Sequence, residues 1–138
     1  MTSCYVRVRE RYIYPALQDD YSTVQVYNSP QVNDDYLALY AGKDAPDKVY
    51  QNEAHTVHID ILSNQITEGT APDKVATLRY KKTIRRLADS STRTEYWDAH
   101  LTFHSNPSKE MSDTEREVNP FGFTVTSWQA DREIRGVE

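Results

Sequence analysis

Apolar positions recur at helical spacing over the first third of the chain. Residues 2–12 place packing side chains beside a charged side, which predicts a first helix. A second stripe predicts a helix over 15–27, and a third predicts one over 30–42 that begins after the N-capping Ser29. A short helical turn is expected over 44–50. The two stripes are formed by Leu17, Tyr21, Val24 and Tyr27 and by Val32, Tyr36, Leu39 and Tyr40.

Beyond these helices the pattern changes to an alternation of apolar and polar residues, which is typical of half-buried strands. Strands are predicted over 54–66, 74–87 and 94–104, joined by a hairpin loop at 67–73 and a polar turn at 89–92. The side chains expected to face inward are Val57, Ile59 and Ile61, then Ala76, Leu78, Tyr80 and Ile84, and finally Trp97, Ala99, Leu101 and Phe103.

A short helix and a sharp turn follow the third strand. Ser112 and Glu115 have the spacing of a capping box, which predicts the start of this helix. Pro120 cannot occupy a helix interior, so the helix must stop before it, and Asn119 can end it in a left-handed conformation. Gly122 permits backbone geometry, or a close approach, that a Cβ would resist.

A fourth strand begins at Phe123 and completes an antiparallel sheet. Simple alternation places Phe123, Val125 and Ser127 on one face and Thr124, Thr126 and Trp128 on the other. Residues 132–138 are expected to fray. Helices followed by a four-stranded meander indicate the α+β class, with the helices covering one face of a curved, cone-like sheet.

Composition adds limits on the class of protein. A chain of 138 residues with 38% hydrophobic and 27% charged residues is one globular domain, 1–138. It has no apolar run of about 18 residues that could span a membrane. The net charge of −5 argues against a nucleic-acid partner. A single basic cluster, interpreted as a solvated strand face in preference to a phosphate site, contains Arg79, Lys81, Lys82, Arg85 and Arg86.

An isomerase or dehydratase is the enzymatic alternative, because a cone-shaped α+β domain can hold an aspartate base and tyrosine donors in an apolar pocket. Asp60 and Asp98 are the candidate bases. Both alternate out of phase with the inward residues of their strands, so they are expected to face water or a partner. The sequence therefore predicts that the protein is not an enzyme.

The histidines do not predict a metal site. His55 and His58 are three residues apart on a strand, so they lie on opposite faces. His100 and His104 share a face, but Asp98 is their only obvious partner. No triad spacing, phosphate loop or zinc signature is present, and neither a metal nor a cofactor is expected.

The segment from residue 119 to 131 nevertheless resembles a family signature. It is similar to the N-P-x-G-F-x-V-x-[SN]-[YW]-x-x-D segment of the eighth VirB-type component of bacterial type IV secretion systems. In this chain the segment reads Asn-Pro-Phe-Gly-Phe-Thr-Val-Thr-Ser-Trp-Gln-Ala-Asp. Residues 5–12 resemble the family's opening YVxARExY, and 76–83 resemble its second strand. The series runs through nearly the whole chain in one register.

The resemblance implies a nuclear transport factor two-like fold and a periplasmic domain. In that family a short cytoplasmic tail and one inner-membrane helix precede the domain, so the chain is expected to be the soluble part of a longer, single-pass protein. The implied function is a non-enzymatic scaffold that bridges inner-membrane and periplasmic channel subunits for DNA or effector transfer. Conjugation, effector delivery and adhesion all stay open as uses of the apparatus.

The resemblance also implies roles for individual residues. Asp113 matches an acidic self-association position, and a weak homodimer is expected because the family's surface also uses residues just before Tyr5 that this chain lacks. A surface that contacts other channel subunits is matched by His100, Trp128 and Gln129, although the family often has threonine and arginine at the first and last of these positions. Asn119, Pro120, Gly122 and Phe123 form the structural motif expected to hold the short helix against the fourth strand.

Overall fold

The computed structural model describes residues 1–134. Ser29 caps the third helix as predicted, because its hydroxyl oxygen accepts a hydrogen bond from the Val32 amide at 3.3 Å. The first helix ends earlier than predicted, since Tyr12 exchanges backbone hydrogen bonds of 3.0 and 2.8 Å with Val57 of the sheet. The N-terminal helices are α1 (Thr2–Glu10), α2 (Leu17–Tyr27) after a 3-10 turn (Tyr14–Ala16), α3 (Pro30–Ala41) and α4 (Pro46–Val49).

The strands form one antiparallel sheet in the order β1-β2-β3-β4, which confirms the predicted meander and the α+β class. Helix α5 lies between the third and fourth strands in sequence and begins with the predicted capping box at Ser112 and Glu115. The bounds are β1 (His55–Glu68), β2 (Lys74–Arg86), β3 (Thr92–Ser105), α5 (Asp113–Val118) and β4 (Phe123–Arg132).

One face of the sheet, here called the inner face, packs against the helices to form the core. The predicted inward residues of β2 are buried, as are Val57, Ile59, Ala99 and Leu101 of the neighbouring strands. Tyrosines supply much of the helical side and pack their rings into the core. The buried core residues from the helices and their flanks are Tyr5, Val6, Tyr12, Val24, Tyr27, Val32 and Tyr36.

The alternation predicted for β4 is wrong beyond Val125. Thr102 of β3 pairs with Ser127, whereas the next residue, Phe103, pairs with Val125, so Thr126 is an extra residue in β4. Such a bulge changes the phase of the strand because side chains alternate with a period of two. Trp128 consequently pairs with Leu101 and faces inward.

The C-terminal end of β4 is more ordered than predicted. Arg132 is still part of the strand, and the Glu133 amide donates to the Tyr96 carbonyl at 2.7 Å. The Glu133 carboxylate also pairs with Arg79 at 2.8 Å. The remainder of the tail predicted to fray, 135–138, lies outside the described residues. Within 1–134, the helices are all too short or too polar to cross a membrane.

Candidate functional site

The turn over residues 119–123 is held together by a buried asparagine side chain. Asn119 is fully buried, and its Oδ1 accepts from the Phe123 amide at 2.8 Å while its Nδ2 donates to the Phe123 carbonyl at 2.9 Å. Its backbone has φ −133° and ψ 68°, so the predicted left-handed ending of the helix is wrong. The side chain pairs with Phe123 as a neighbouring strand would, and this satisfies the polar groups at the start of β4.

Gly122 is required by both conformation and space. Its φ is +65°, and a Cβ at this position would lie 1.7 Å from the carbonyl oxygen of Asn106. The Asn106 amide in turn donates to the Gly122 carbonyl at 2.8 Å. Pro120 and Phe121 are exposed, whereas Phe123 is buried with its ring centroid 5.3 Å from that of Phe103. The turn therefore fixes the relative positions of the end of α5, the loop after β3 and the start of β4.

Asp113 occupies the first turn of α5 and is exposed. The capping box below it is complete: the Ser112 hydroxyl accepts from the Glu115 amide at 3.1 Å, and the Glu115 carboxylate accepts from the Ser112 amide at 3.0 Å. The hydrogen bond from the Ser112 backbone amide is the largest cause that lowers the pKa of the Glu115 carboxyl. The box fixes the start of α5, on which Asp113 is exposed.

The face of the sheet opposite the helices, here called the outer face, is polar and exposed. His100 and Gln129 are directly paired across β3 and β4, and both are exposed. Thr77 lies 3.4 Å from His100 Nδ1, and Gln129 Nε2 donates to Asp131 at 2.9 Å. The structure therefore brings these two predicted interface residues together.

Trp128 lies on the other side of the sheet from His100 and Gln129. Its ring centroid is 5.7 Å from that of Tyr5, and the Arg9 guanidinium carbon lies 4.5 Å from it. The three residues matched to one partner surface are thus divided between two faces. Neighbouring strand residues point to opposite faces, so Trp128 and Gln129 cannot share one face; the bulge at Thr126 decides that Trp128 is the inward residue of the two.

A groove of ≈ 390 Å³ between the inner face and the helices, here called the cationic groove, has Trp128 in its wall. Arg9 also lies 4.9 Å from the Tyr36 ring centroid, and Lys82 Nζ lies 4.6 Å from that of Trp97. Neither cation forms an ion pair within the described residues. These two cations lie between aromatic walls, and the same lining also carries the carboxylates of Glu10 and Asp44.

The interpretation of the basic cluster as a solvated strand face is wrong for Lys82, because this residue is 8% exposed and faces inward. Three other members have ordinary partners: Arg79 pairs with Glu133, Arg86 pairs with Asp89, and Arg85 donates to Ser90. Sequence reasoning also missed Arg9 as a groove residue, although it lies in the segment 5–12 that resembles the family opening. Its helical spacing from Tyr5 is the signal that could have placed it inward.

Helix α1 contributes the Glu10 carboxylate to the lining of this groove. Glu10 accepts a hydrogen bond from the buried Tyr80 hydroxyl at 2.8 Å. Burial, followed by the charge of Glu10, raises the pKa of Tyr80. Burial likewise raises the pKa of Tyr12 and of Tyr50 to about 12. These phenols stay protonated at neutral pH, so they can donate hydrogen bonds but cannot act as bases.

Comparison with known proteins identifies the family. A family model described as VirB8 protein matches residues 1–133. The chain belongs to the VirB8 family. It is 37% identical over 131 residues to the type IV secretion system protein PtlE of Bordetella pertussis, covering 94% of this chain and 54% of that protein. It is 35% identical over 138 residues to VirB8 of Brucella suis biovar 1, covering 99% of this chain and 55% of that protein. The chain therefore spans about half the length of these relatives.

Solved structures of VirB8-type domains share the fold. The soluble domain of TrwG from Bartonella grahamii superimposes with a TM-score of 0.84 at 27% identity, covering 97% of this chain and 91% of that one. TraE in complex with 2-(2-furyl)isonicotinic acid superimposes with a TM-score of 0.80 at 27% identity, covering 96% of this chain and 92% of that one. These likenesses confirm the predicted α+β arrangement of helices on an antiparallel sheet.

The two aspartates considered as bases for an isomerase, Asp60 and Asp98, do not line the groove between the sheet and the helices. Asp60 and Asp98 lie on the outer face, paired with Lys81 and Arg79 of β2, as the alternation predicted. The family model and the relatives named above are secretion-system proteins, and none is described as an enzyme. Across residues 1–134, no three His, Cys, Asp or Glu side chains are grouped so as to hold a metal ion.

Proposed function

We propose that this domain is a non-enzymatic scaffold and assembly factor of a bacterial type IV secretion system. In this proposal it lies in the periplasm, anchored by a single inner-membrane helix of the full-length protein. It bridges inner-membrane and periplasmic channel subunits and so supports DNA or effector transfer without binding nucleic acid itself. Membership of the VirB8 family supports this assignment.

The observation that carries the proposal is the exposed pair of His100 and Gln129 on the outer face. The helices cover the inner face, which leaves a rigid, polar sheet surface available to another protein. Residues fixed in a sheet keep their spacing, and a preorganised surface loses little entropy when it binds. Trp128 faces inward, so a partner that contacts it would have to enter the cationic groove.

His100→Glu combined with Gln129→Glu should raise the dissociation constant for a channel subunit by about tenfold or more, because unpaired carboxylates and lost contacts at an interface centre weaken binding. The measurement is biolayer interferometry with the purified periplasmic domains of the channel subunits encoded beside this protein. His58→Glu is the matched control, since His58 is an exposed histidine of the same outer face on the distant strand β1.

The control decides the meaning of the result. If His58→Glu weakened binding as much as the double variant, general electrostatic repulsion would explain the effect. If the double variant bound every channel subunit as the wild type does, the outer face would not be the partner surface.

We also propose that the domain self-associates weakly through α5 and Asp113. Helix α5 has six residues, so at a rise of about 1.5 Å per residue it is only about 9 Å long. Such a helix cannot by itself bury the roughly 800 Å² per partner of a standard stable interface. A homodimer built on this surface is therefore expected to be weak and concentration-dependent.

Sedimentation equilibrium should show mostly monomer at low micromolar concentration and a rising dimer fraction above it. Asp113→Arg should remove the dimer, because it reverses the charge at the centre of the proposed contact. Asp35→Arg makes the same charge change at an exposed position on α3 and should leave the dimer fraction unchanged. A nanomolar dimer, or a dimer insensitive to Asp113→Arg, would contradict this proposal.

A further inference from the structure

A second groove lies on the helical side of the molecule, away from both the outer face and the α5 surface. It has a volume of ≈ 470 Å³ and lies between the 3-10 turn, α2, the end of α3 and α4. We call it the tyrosine groove. Its walls are formed by Tyr14, Leu17, Gln18, Tyr21, Tyr40 and Asp47.

A buried tyrosine packs behind the aromatic wall of the tyrosine groove. Tyr21 and Tyr40 have ring centroids 4.8 Å apart, and each also contacts the buried Tyr36, at 5.6 and 5.0 Å. Tyr14 at the rim is 38% exposed. Rings held in this way can receive a cation at little entropic cost, and tyrosine faces attract ammonium and guanidinium groups.

Asp47 supplies a carboxylate that has no partner of its own. Within residues 1–134, no lysine or arginine nitrogen lies within 4.0 Å of it, and it forms no side-chain hydrogen bond. Two nearby cations have other partners: Arg11 binds Asp20 at 2.6 Å, and Lys48 donates to the Gly42 carbonyl at 3.0 Å. An unpaired carboxylate at the edge of an aromatic groove favours a cationic guest.

The distribution of charge along the chain points the same way. Residues 13–54, which run from the end of the first helical segment to the start of β1, contain seven acidic and two basic side chains. Elsewhere the chain has 14 acidic and 14 basic side chains, so the whole net charge of −5 belongs to this stretch. A surface of one sign steers partners of the opposite sign towards it.

We propose that the tyrosine groove binds a lysine or arginine side chain of a basic segment in a partner protein. The cation lies against the rings of Tyr14, Tyr21 and Tyr40 and pairs with Asp47. The acidic stretch 13–54 attracts the rest of the segment. This surface differs from the outer face, so the inference does not depend on the scaffold function proposed above.

The test uses a blocked peptide, acetyl-Gly-Arg-Ser-Lys-Gly-Arg-Ser-amide, titrated into ¹⁵N-labelled protein and followed by amide and tyrosine-ring NMR shifts. We expect the shifts to cluster on the 3-10 turn, α2 and α4. Asp47→Asn and Tyr14→Leu should each weaken binding by about tenfold, whereas Tyr14→Phe keeps the ring and should bind within about twofold of the wild type.

Asp35→Asn is the matched control, because it removes one exposed acidic charge from the same stretch without lining the groove. It should weaken binding less than about twofold. Equal weakening by Asp35→Asn and Asp47→Asn would overturn the inference and show general charge attraction. Shifts centred on the outer face or on α5, or no shift at millimolar peptide, would overturn it as well.

Discussion

Gly122→Ala should lower the melting temperature by about 10 °C or more, which corresponds to roughly 3 kcal/mol or more of unfolding free energy. The methyl group is the atom that would lie 1.7 Å from the Asn106 carbonyl oxygen, so alanine is already too large. A residue with a Cβ also resists the φ of +65° at this position. To make room, the loop must give up the hydrogen bond between the Asn106 amide and the Gly122 carbonyl.

Gly42→Ala provides the control for this melting experiment. A Cβ on Gly42 would contact the Ala38 carbonyl oxygen at 3.4 Å, an ordinary separation, and its φ is −96°. Its melting temperature should stay within a few degrees of the wild type. A Gly122→Ala variant that melts like the wild type would show that the loop after β3 adapts freely.

Local patterns were sufficient to predict the secondary structure and the order of the strands. Helix stripes, the Ser29 cap and the box at Ser112 and Glu115 act within a few residues, so they are visible in sequence. The inward residues of β2 follow the simple period of two along its length. Gly122 was also predictable, because a glycine immediately after a helix stop marks unusual backbone geometry.

The candidate surfaces were predicted less well because they depend on contacts between distant segments. One inserted residue, Thr126, moves Trp128 to the inner face, and its position is set by pairing with β3 and not by the residues of β4. Glu10 faces Tyr80 across 70 positions of sequence, so no local pattern connects them. The tyrosine groove joins residues from separate helical segments in the same way.

Asn119→Ala should destabilise the domain by about 2–4 kcal/mol, because it leaves the buried amide and carbonyl of Phe123 without partners and opens a cavity. Asn33→Ala is the comparison: Asn33 also makes side-chain hydrogen bonds, to Asn28 and Gln25, but it is partly exposed and water can replace them. Its cost should be under about 1 kcal/mol. Urea unfolding of both variants measures the difference.

Asn119→Asp adds a test of the hydrogen-bond geometry through pH. An ionised carboxylate can accept from the Phe123 amide but repels the Phe123 carbonyl, to which Asn119 donates at 2.9 Å in the wild type. Burial and this repulsion raise the pKa of the new carboxyl in the folded state above its unfolded value. Between these two pKa values the folded state binds more protons than the unfolded state. The stability of the variant relative to wild type therefore falls as the pH rises from the unfolded pKa to the folded pKa, and it recovers at acidic pH. A variant whose deficit is the same at pH 4.5 and pH 7.5 would show that Asn119 stabilises the turn by packing and not by donating to Phe123.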